Sequence, residues 1–243
     1  MEYLEYAGES AGSGFDITIA VFRSIPVGNI EFLITETTVN TWIVMGLILL
    51  LGVIVRIKSA KWDFTKKPKG LQNIVEMCVD AWDKFFRNTS SEKVIYLAPW
   101  FFTLFVFLMI SNMIGITGLR PPTADWGMTF PLAVSSFFLF QFAGLRHRPK
   151  SYLKSIFLEP LFVFAPLNVI GELARPISLS FRLFGNVLGG MILLSLLYGI
   201  APIIVQFALP IPLHIYFDLA AGALQAVIFT VLSLVFVGMS AEA

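Results

Sequence analysis

From Ile156 to Ala201 the chain runs for 46 residues with only Glu159, Glu172, Arg175 and Arg182 as charged interruptions. Residues 202–238 continue in the same way, with His214 and Asp218 as their only acidic or basic side chains. Segments of this length and polarity are too apolar for the outside of a water-soluble fold. They suit a bilayer, where a helix satisfies its own backbone hydrogen bonds and presents side chains to lipid. Three shorter runs, Thr38–Ile57, Ile95–Thr117 and Trp126–Leu145, are each about one hydrocarbon thickness long at ~1.5 Å per residue. The whole chain is 57% hydrophobic and 14% charged, well outside the range of soluble domains.

The spacing predicts an all-α polytopic membrane protein. An N-terminal extramembrane segment, 1–36, precedes a membrane domain, 37–243, with spans near 38–57, 95–117, 126–145, 156–201 and 202–240. The fourth run is twice as long as a perpendicular crossing requires. It either crosses twice or forms one long, strongly tilted helix. Residues 71–88 differ from the rest. Leu71, Ile74, Val75, Cys78, Trp82, Phe85 and Phe86 recur at helical spacing, with acids and amides between them, as in an interfacial amphipathic helix. Its polar face is acidic, which favours protein contact over anionic lipid.

Nine Lys/Arg fall in residues 56–93 and four in 146–154, against Arg23 and Arg120 in the alternate connections. By the positive-inside rule both basic loops are cytoplasmic and the N-terminus is outside. Five crossings then bring the C-terminus inside. Net charge is +1, and no basic aromatic groove for nucleic acid appears. With one cysteine, Cys78, neither an internal disulfide nor a thiolate metal site can form. No phosphate-binding loop or HExxH motif is present, and no metal or cofactor is expected.

The polar residues inside the apolar runs carry the functional signal. A charge at bilayer centre costs roughly 2.5–3.5 kcal/mol on insertion scales, and an arginine cannot shed its proton. Arg182 must therefore face water, a carboxylate or a partner. A structural ion pair with Glu172 or Asp218 competes with a role in an ion pathway. Arg175, Ser178, Arg182 and Asn186 follow at three- and four-residue steps and share one helical face, with Glu172 three residues earlier. His214, Asp218 and Gln225 form a second stripe. Two polar stripes on long apolar helices suggest a wet seam, with Glu172 toward the inside, Arg182 near the middle and His214 and Asp218 toward the outside. A secondary transporter is the alternative reading, as such residues could bind a solute.

The stretches "ELARPISLSFRLFGNVLGG" and "FDLAAGALQAVIFTVLSLVFV" resemble subunit a of the rotary ATP synthases, as do "APWFFTLFVFLMISNMIG" and "PPTADWGMTFPLA". The likeness covers roughly residues 95–240. It implies a non-catalytic stator channel subunit of the plasma membrane, beside a ring of c-subunit hairpins, with peripheral-stalk subunit b and the rest of the complex as partners. It implies two offset half-channels passing H⁺ or Na⁺. Arg182 corresponds to the family's essential arginine, Asn186 to the asparagine one turn later and Gln225 to the glutamine of the last helix. It also implies that the last two helices form a long, steeply inclined pair along the ring. Met191 stands where many members carry Glu, Asp218 where many carry His, and Gly127 where some carry Asn. The outer route is therefore expected to use Asp218 with His214, and the inner route Glu172.

Overall fold

The computed structural model describes residues 21–27, 30–60, 62, 70–157, 164–200 and 209–242. Strands β1 (Val21–Val27) and β2 (Ile30–Thr35) pair antiparallel, Ser24 opposite Leu33. The sequence reading gave no regular structure to this segment. The helices are α1 (Glu36–Ser59), α2 (Leu71–Thr89), α3 (Ala98–Met113), α4 (Trp126–His147), α5 (Pro149–Phe157), α6 (Ala165–Ile200) and α7 (Pro210–Glu242). Tight turns at Glu92–Leu97 and Ile114–Thr117 extend α3 at both ends. Gly118, at φ 79°, ends the second of these in a left-handed conformation that needs no Cβ. Within α7, residues Ile215–Ala221 form π-helical turns.

Among the described residues, five helical stretches are long and apolar enough to cross a membrane: Glu36–Ser59, Glu92–Thr117, Trp126–His147, Ala165–Ile200 and Pro210–Glu242. The protein is an all-α polytopic membrane protein apart from the short hairpin. The length of the fourth stretch decides between one crossing and two. α6 is one unbroken helix of 36 residues through Pro176, so the chain does not turn back inside it. At 1.5 Å per residue it is about 54 Å long, well over a hydrocarbon thickness, and a single crossing must tilt. The start of the expected fourth run, at 158–163, and the junction at 201–208 lie outside the described residues.

Contacts divide the chain into two compact units, and all five long helices contribute to both. The first comprises Met1–Val44, Leu108–Thr129 and Phe181–Ala226. The second comprises Met45–Phe107, Phe130–Ser180 and Val227–Ala243.

The second unit has an aromatic core. Phe86, Phe101, Phe140 and Phe229 are fully buried there, and the Trp82 ring packs against Phe85, Phe102 and Phe105. The Trp82 indole also donates to the Ala98 carbonyl at 3.0 Å, which satisfies the one polar atom the ring brings inside. Trp82 and Phe86 thus pin the C-terminal half of α2, and Ser90 donates to the Leu234 carbonyl. Leu71, Ile74 and Met77 at its other end remain exposed. The amphipathic pattern of this helix is therefore covered by protein along only part of its length.

The first unit has a polar interior. Thr37, Asn40, Thr41, Ser111, Asn112, Thr123 and Gln225 are all buried in it, beside Val44 and Leu108. Most of these polar groups find partners, as buried ones must. Thr37 donates to Asp125 at 2.9 Å, Asn40 to the Arg120 carbonyl at 2.9 Å and Thr41 to the Thr37 carbonyl at 2.7 Å.

Candidate functional site

Five of the six residues singled out above, Arg182, Asn186, Gln225, Asp218 and His214, belong to the first unit. Glu172 belongs to the second.

Arg182 is exposed on α6. Leu183 beside it is fully buried, and Gly190 and Leu194 continue that inward face. The opposite face carries Arg182, Gly185 and Gly189, and a Cβ added at either glycine would meet nothing within 4 Å. On the same open face, earlier in α6, lie Gly171 and the exposed Ala174 and Ser178. The neighbouring Phe181 ring stacks on Trp126 at 5.8 Å, which ties this turn to the start of α4. Among the described residues, no carboxylate lies within ion-pair distance of Arg182.

Both acids that could have neutralised it are engaged elsewhere. Asp218 Oδ2 lies 2.6 Å from His214 Nδ1. Their i,i+4 spacing sets the pair on one side of the helix. The Tyr198 hydroxyl reaches His214 Nε2 at 3.5 Å. Glu172 pairs with Arg175 at 2.8 Å. That guanidinium in turn lies over the Phe236 ring at 5.1 Å, a cation–π contact. The pairing of Arg182 with Glu172 or Asp218, which the sequence left open, is thus not made.

Asn186 and Gln225 do not hold the guanidinium in this chain. Asn186 Nδ2 donates to the Ala221 carbonyl at 3.4 Å, at the end of the π-helical turns. π-turns shift the backbone pairing of a helix by one residue. Gln225 is buried, and among the described residues its Nε2 has no hydrogen-bond partner. The sequence stripe is therefore split. Arg182 occupies the open side of α6, whereas Asn186, one turn on, sits at its shoulder and reaches α7.

Three contributors escaped the sequence reading. Asn112 of α3 accepts from Thr123 at 2.7 Å and donates to the Gly222 carbonyl at 2.9 Å, fastening α7 where α-helical turns resume. Gly115 lies against the Asp218 carboxylate, so close that an added Cβ would sit 2.9 Å from Oδ1. Tyr198 is the third. A rule already applied to Arg182, that a polar residue within an apolar run is there for a reason, would have flagged Ser111 and Asn112 in "FLMISNMIG". Gly115 has no such signal, because only the fold brings it to Asp218. Gly127, at the other unusual position, donates its N–H to Asp125 Oδ1 at 2.8 Å.

The site combines a fixed cation on an open helix face with a part-buried carboxylate–imidazole pair. No group of three or more His, Cys, Asp or Glu that could hold a metal occurs among the described residues. A family model described as ATP synthase A chain matches residues 38–238. The chain is 32% identical over 225 residues to "ATP synthase subunit a, sodium ion specific" of Propionigenium modestum, covering 85% of this chain and 74% of that protein. It is 34% identical over 212 residues to ATP synthase subunit a of Trichlorobacter lovleyi, covering 85% and 87%. It is also 34% identical over 206 residues to the subunit of Moorella thermoacetica, covering 84% and 89%. With the family matched over most of its length and five helices fit to span a bilayer, the chain belongs to the ATP synthase A chain family, as a multi-pass membrane subunit of that complex.

Proposed function

We propose that, in this stator ion-channel subunit of a rotary ATP synthase, Arg182 is the fixed cation that separates two offset half-channels. The observation that carries the reading is the isolation of Arg182. It is exposed on a face of small residues, and the two acids that could neutralise it are held by His214 and Arg175. A permanent cation in an apolar helix, with no carboxylate paired to it among the described residues, fits a carboxylate supplied by another chain. Gly185 and Gly189 allow a neighbouring helix to approach closely. The partner of that chemistry is a ring of c-subunit hairpins, each bearing one membrane-embedded acid, with the peripheral-stalk subunit b holding the stator still.

The physical cycle follows. An ion, H⁺ or Na⁺, enters from one face and neutralises a ring carboxylate. The neutral site can turn through lipid, where a bare carboxylate would be costly. On meeting Arg182 the carboxyl is drawn to its charged form, because a nearby cation lowers its pKa, and the ion leaves by the other half-channel. The guanidinium also blocks direct passage between the routes. Asp218 with His214 serves the outer route, with Tyr198 beside them, and Glu172 serves the inner one. Asn186 and Gln225 line the path beside the arginine, and the amide Nε2 of Gln225 has a donor to offer. The basic loops support an N-terminus outside and a C-terminus in the cytoplasm.

The test is ATP-driven ion pumping by the assembled complex in inverted vesicles. Arg182→Ala should abolish pumping. Arg182→Lys should fail as well, since lysine is a shorter point charge that can lose its proton. Normal pumping by either assembled variant would overturn the proposal.

A further inference from the structure

A second cation stands outside the translocation site, in the second unit at the end of α4. The Arg146 guanidinium carbon lies 5.2 Å from the centre of the Tyr96 ring and 5.7 Å from that of Phe142. The His147 ring stacks on the same tyrosine at 6.2 Å, and its Nδ1 sits 3.0 Å from the Ala143 carbonyl. Arg146 is exposed, and among the described residues no carboxylate pairs with it. Aromatic rings engage the faces of a guanidinium and leave its N–H edges free to donate. Those edges match an oxyanion with two acceptor oxygens, above all a phosphate.

The surroundings define which phosphate. Phe138, Phe142 and Leu145 lie on the same exposed side of α4, at steps of four and three residues leading up to Arg146. This is an apolar strip on a helix fit to span a bilayer, ending in a cation at the last turn. Arg148 and Lys150 follow immediately, both exposed, and Lys93 is one turn before Tyr96. Residues 146–154 contain four basic side chains and no acid. An amphiphile with acyl chains and an anionic head fits all of these, whereas a soluble anion uses only the cation. Basic clusters at the cytoplasmic end of a membrane helix attract anionic headgroups in general.

We propose that Arg146, held between Tyr96 and Phe142, binds the phosphodiester of an anionic glycerophospholipid whose acyl chain lies along Phe138, Phe142 and Leu145. The aromatic clamp holds the guanidinium against the strip, so the site selects the lipid by charge and by attachment to a chain. Arg148 and Lys150 add long-range attraction.

The experiment uses the intact complex in nanodiscs of phosphatidylcholine doped with nitroxide-labelled phosphatidylglycerol, and reads the motionally restricted fraction of the label. The wild type should hold more phosphatidylglycerol than equally labelled phosphatidylcholine. Arg146→Gln should lower the apparent affinity for phosphatidylglycerol about fivefold, the equivalent of roughly 1 kcal/mol for a surface cation. Tyr96→Leu, which keeps the charge but removes one ring, should lower it less while leaving phosphatidylcholine unaffected. Inorganic phosphate at millimolar concentration should not displace the label. Equal retention of the two lipids by the wild type would overturn the proposal. So would an Arg146→Gln complex indistinguishable from wild type, or displacement by inorganic phosphate, which would mark a soluble-anion site. If Arg146→Gln fails to assemble, Tyr96→Leu decides alone. A cross-link from residue 146 to a stalk subunit that persists at every lipid composition would assign the site to a protein instead.

Discussion

Replacing Gly115 by alanine tests whether the placement of Asp218 matters to ion flow. A Cβ at residue 115 would lie 2.9 Å from Asp218 Oδ1, 3.0 Å from Cγ and 3.3 Å from Oδ2. Ordinary contact needs several tenths of an ångström more, so the carboxylate must move. It is not free to do so without loss, because its other oxygen is 2.6 Å from His214 Nδ1. A charge-assisted hydrogen bond contributes about 1.5–3 kcal/mol. If that contact supports the outer route, its loss slows ion transfer by roughly ten- to a hundredfold, at about 1.4 kcal/mol per decade. The assay is ATP-driven ion uptake by inverted vesicles, with assembly checked by co-purification. Gly52→Ala, where an added Cβ meets nothing within 4 Å, is the control and should be silent. An assembled Gly115→Ala complex with wild-type flux, beside an Asp218→Asn complex that is slow, would refute the argument that Gly115 exists to seat this carboxylate.

Gly144→Ala should loosen α5 from α4, because its Cβ would come within 2.8 Å of three Tyr152 ring atoms. The ring is buried and its hydroxyl donates to Gln141 at 3.0 Å, so overpacking should cost about 1–3 kcal/mol, read as faster proteolysis near residues 149–157. Burial, with the negative charge of Glu172 in second place, pushes the Tyr152 phenol above its ordinary value. Above pH of about 10 the unfolded chain loses this proton first, so stability should fall as pH rises, and Tyr152→Phe should flatten that slope. Asn112→Ala should strip a partner from Thr123 and from the Gly222 carbonyl, costing about 1–3 kcal/mol and lowering the yield of assembled complex.

Much of this was legible before any coordinates, for identifiable reasons. Apolar runs announce membrane helices because lipid leaves few alternatives, and the described residues contain five long apolar helices. His214 and Asp218 were readable as neighbours because i,i+4 geometry is local. The π-turns at Ile215–Ala221 were not, since one extra residue per turn leaves no compositional mark. The hairpin was missed because its alternation is weak and Pro26 interrupts it, although Gly28–Asn29 is a turn-forming pair. The partner of Asn186 was not legible either. Sharing a stripe with Arg182 says which side of a helix a residue occupies, not which neighbour lies nearer, and the Ala221 carbonyl is the one it reaches.

The outward set of Arg182 bears on how the complex is built. On the proposed function, a newly inserted chain without a ring beside it would hold that guanidinium against hydrocarbon, at roughly 2.5–3.5 kcal/mol or more. The membrane around an orphan would thin, or admit water, to reach it. An unfinished subunit is thus physically distinguishable from a finished one, and a protease that senses such defects could remove orphans. Late docking onto a completed ring would spare the bilayer both the distortion and the leak.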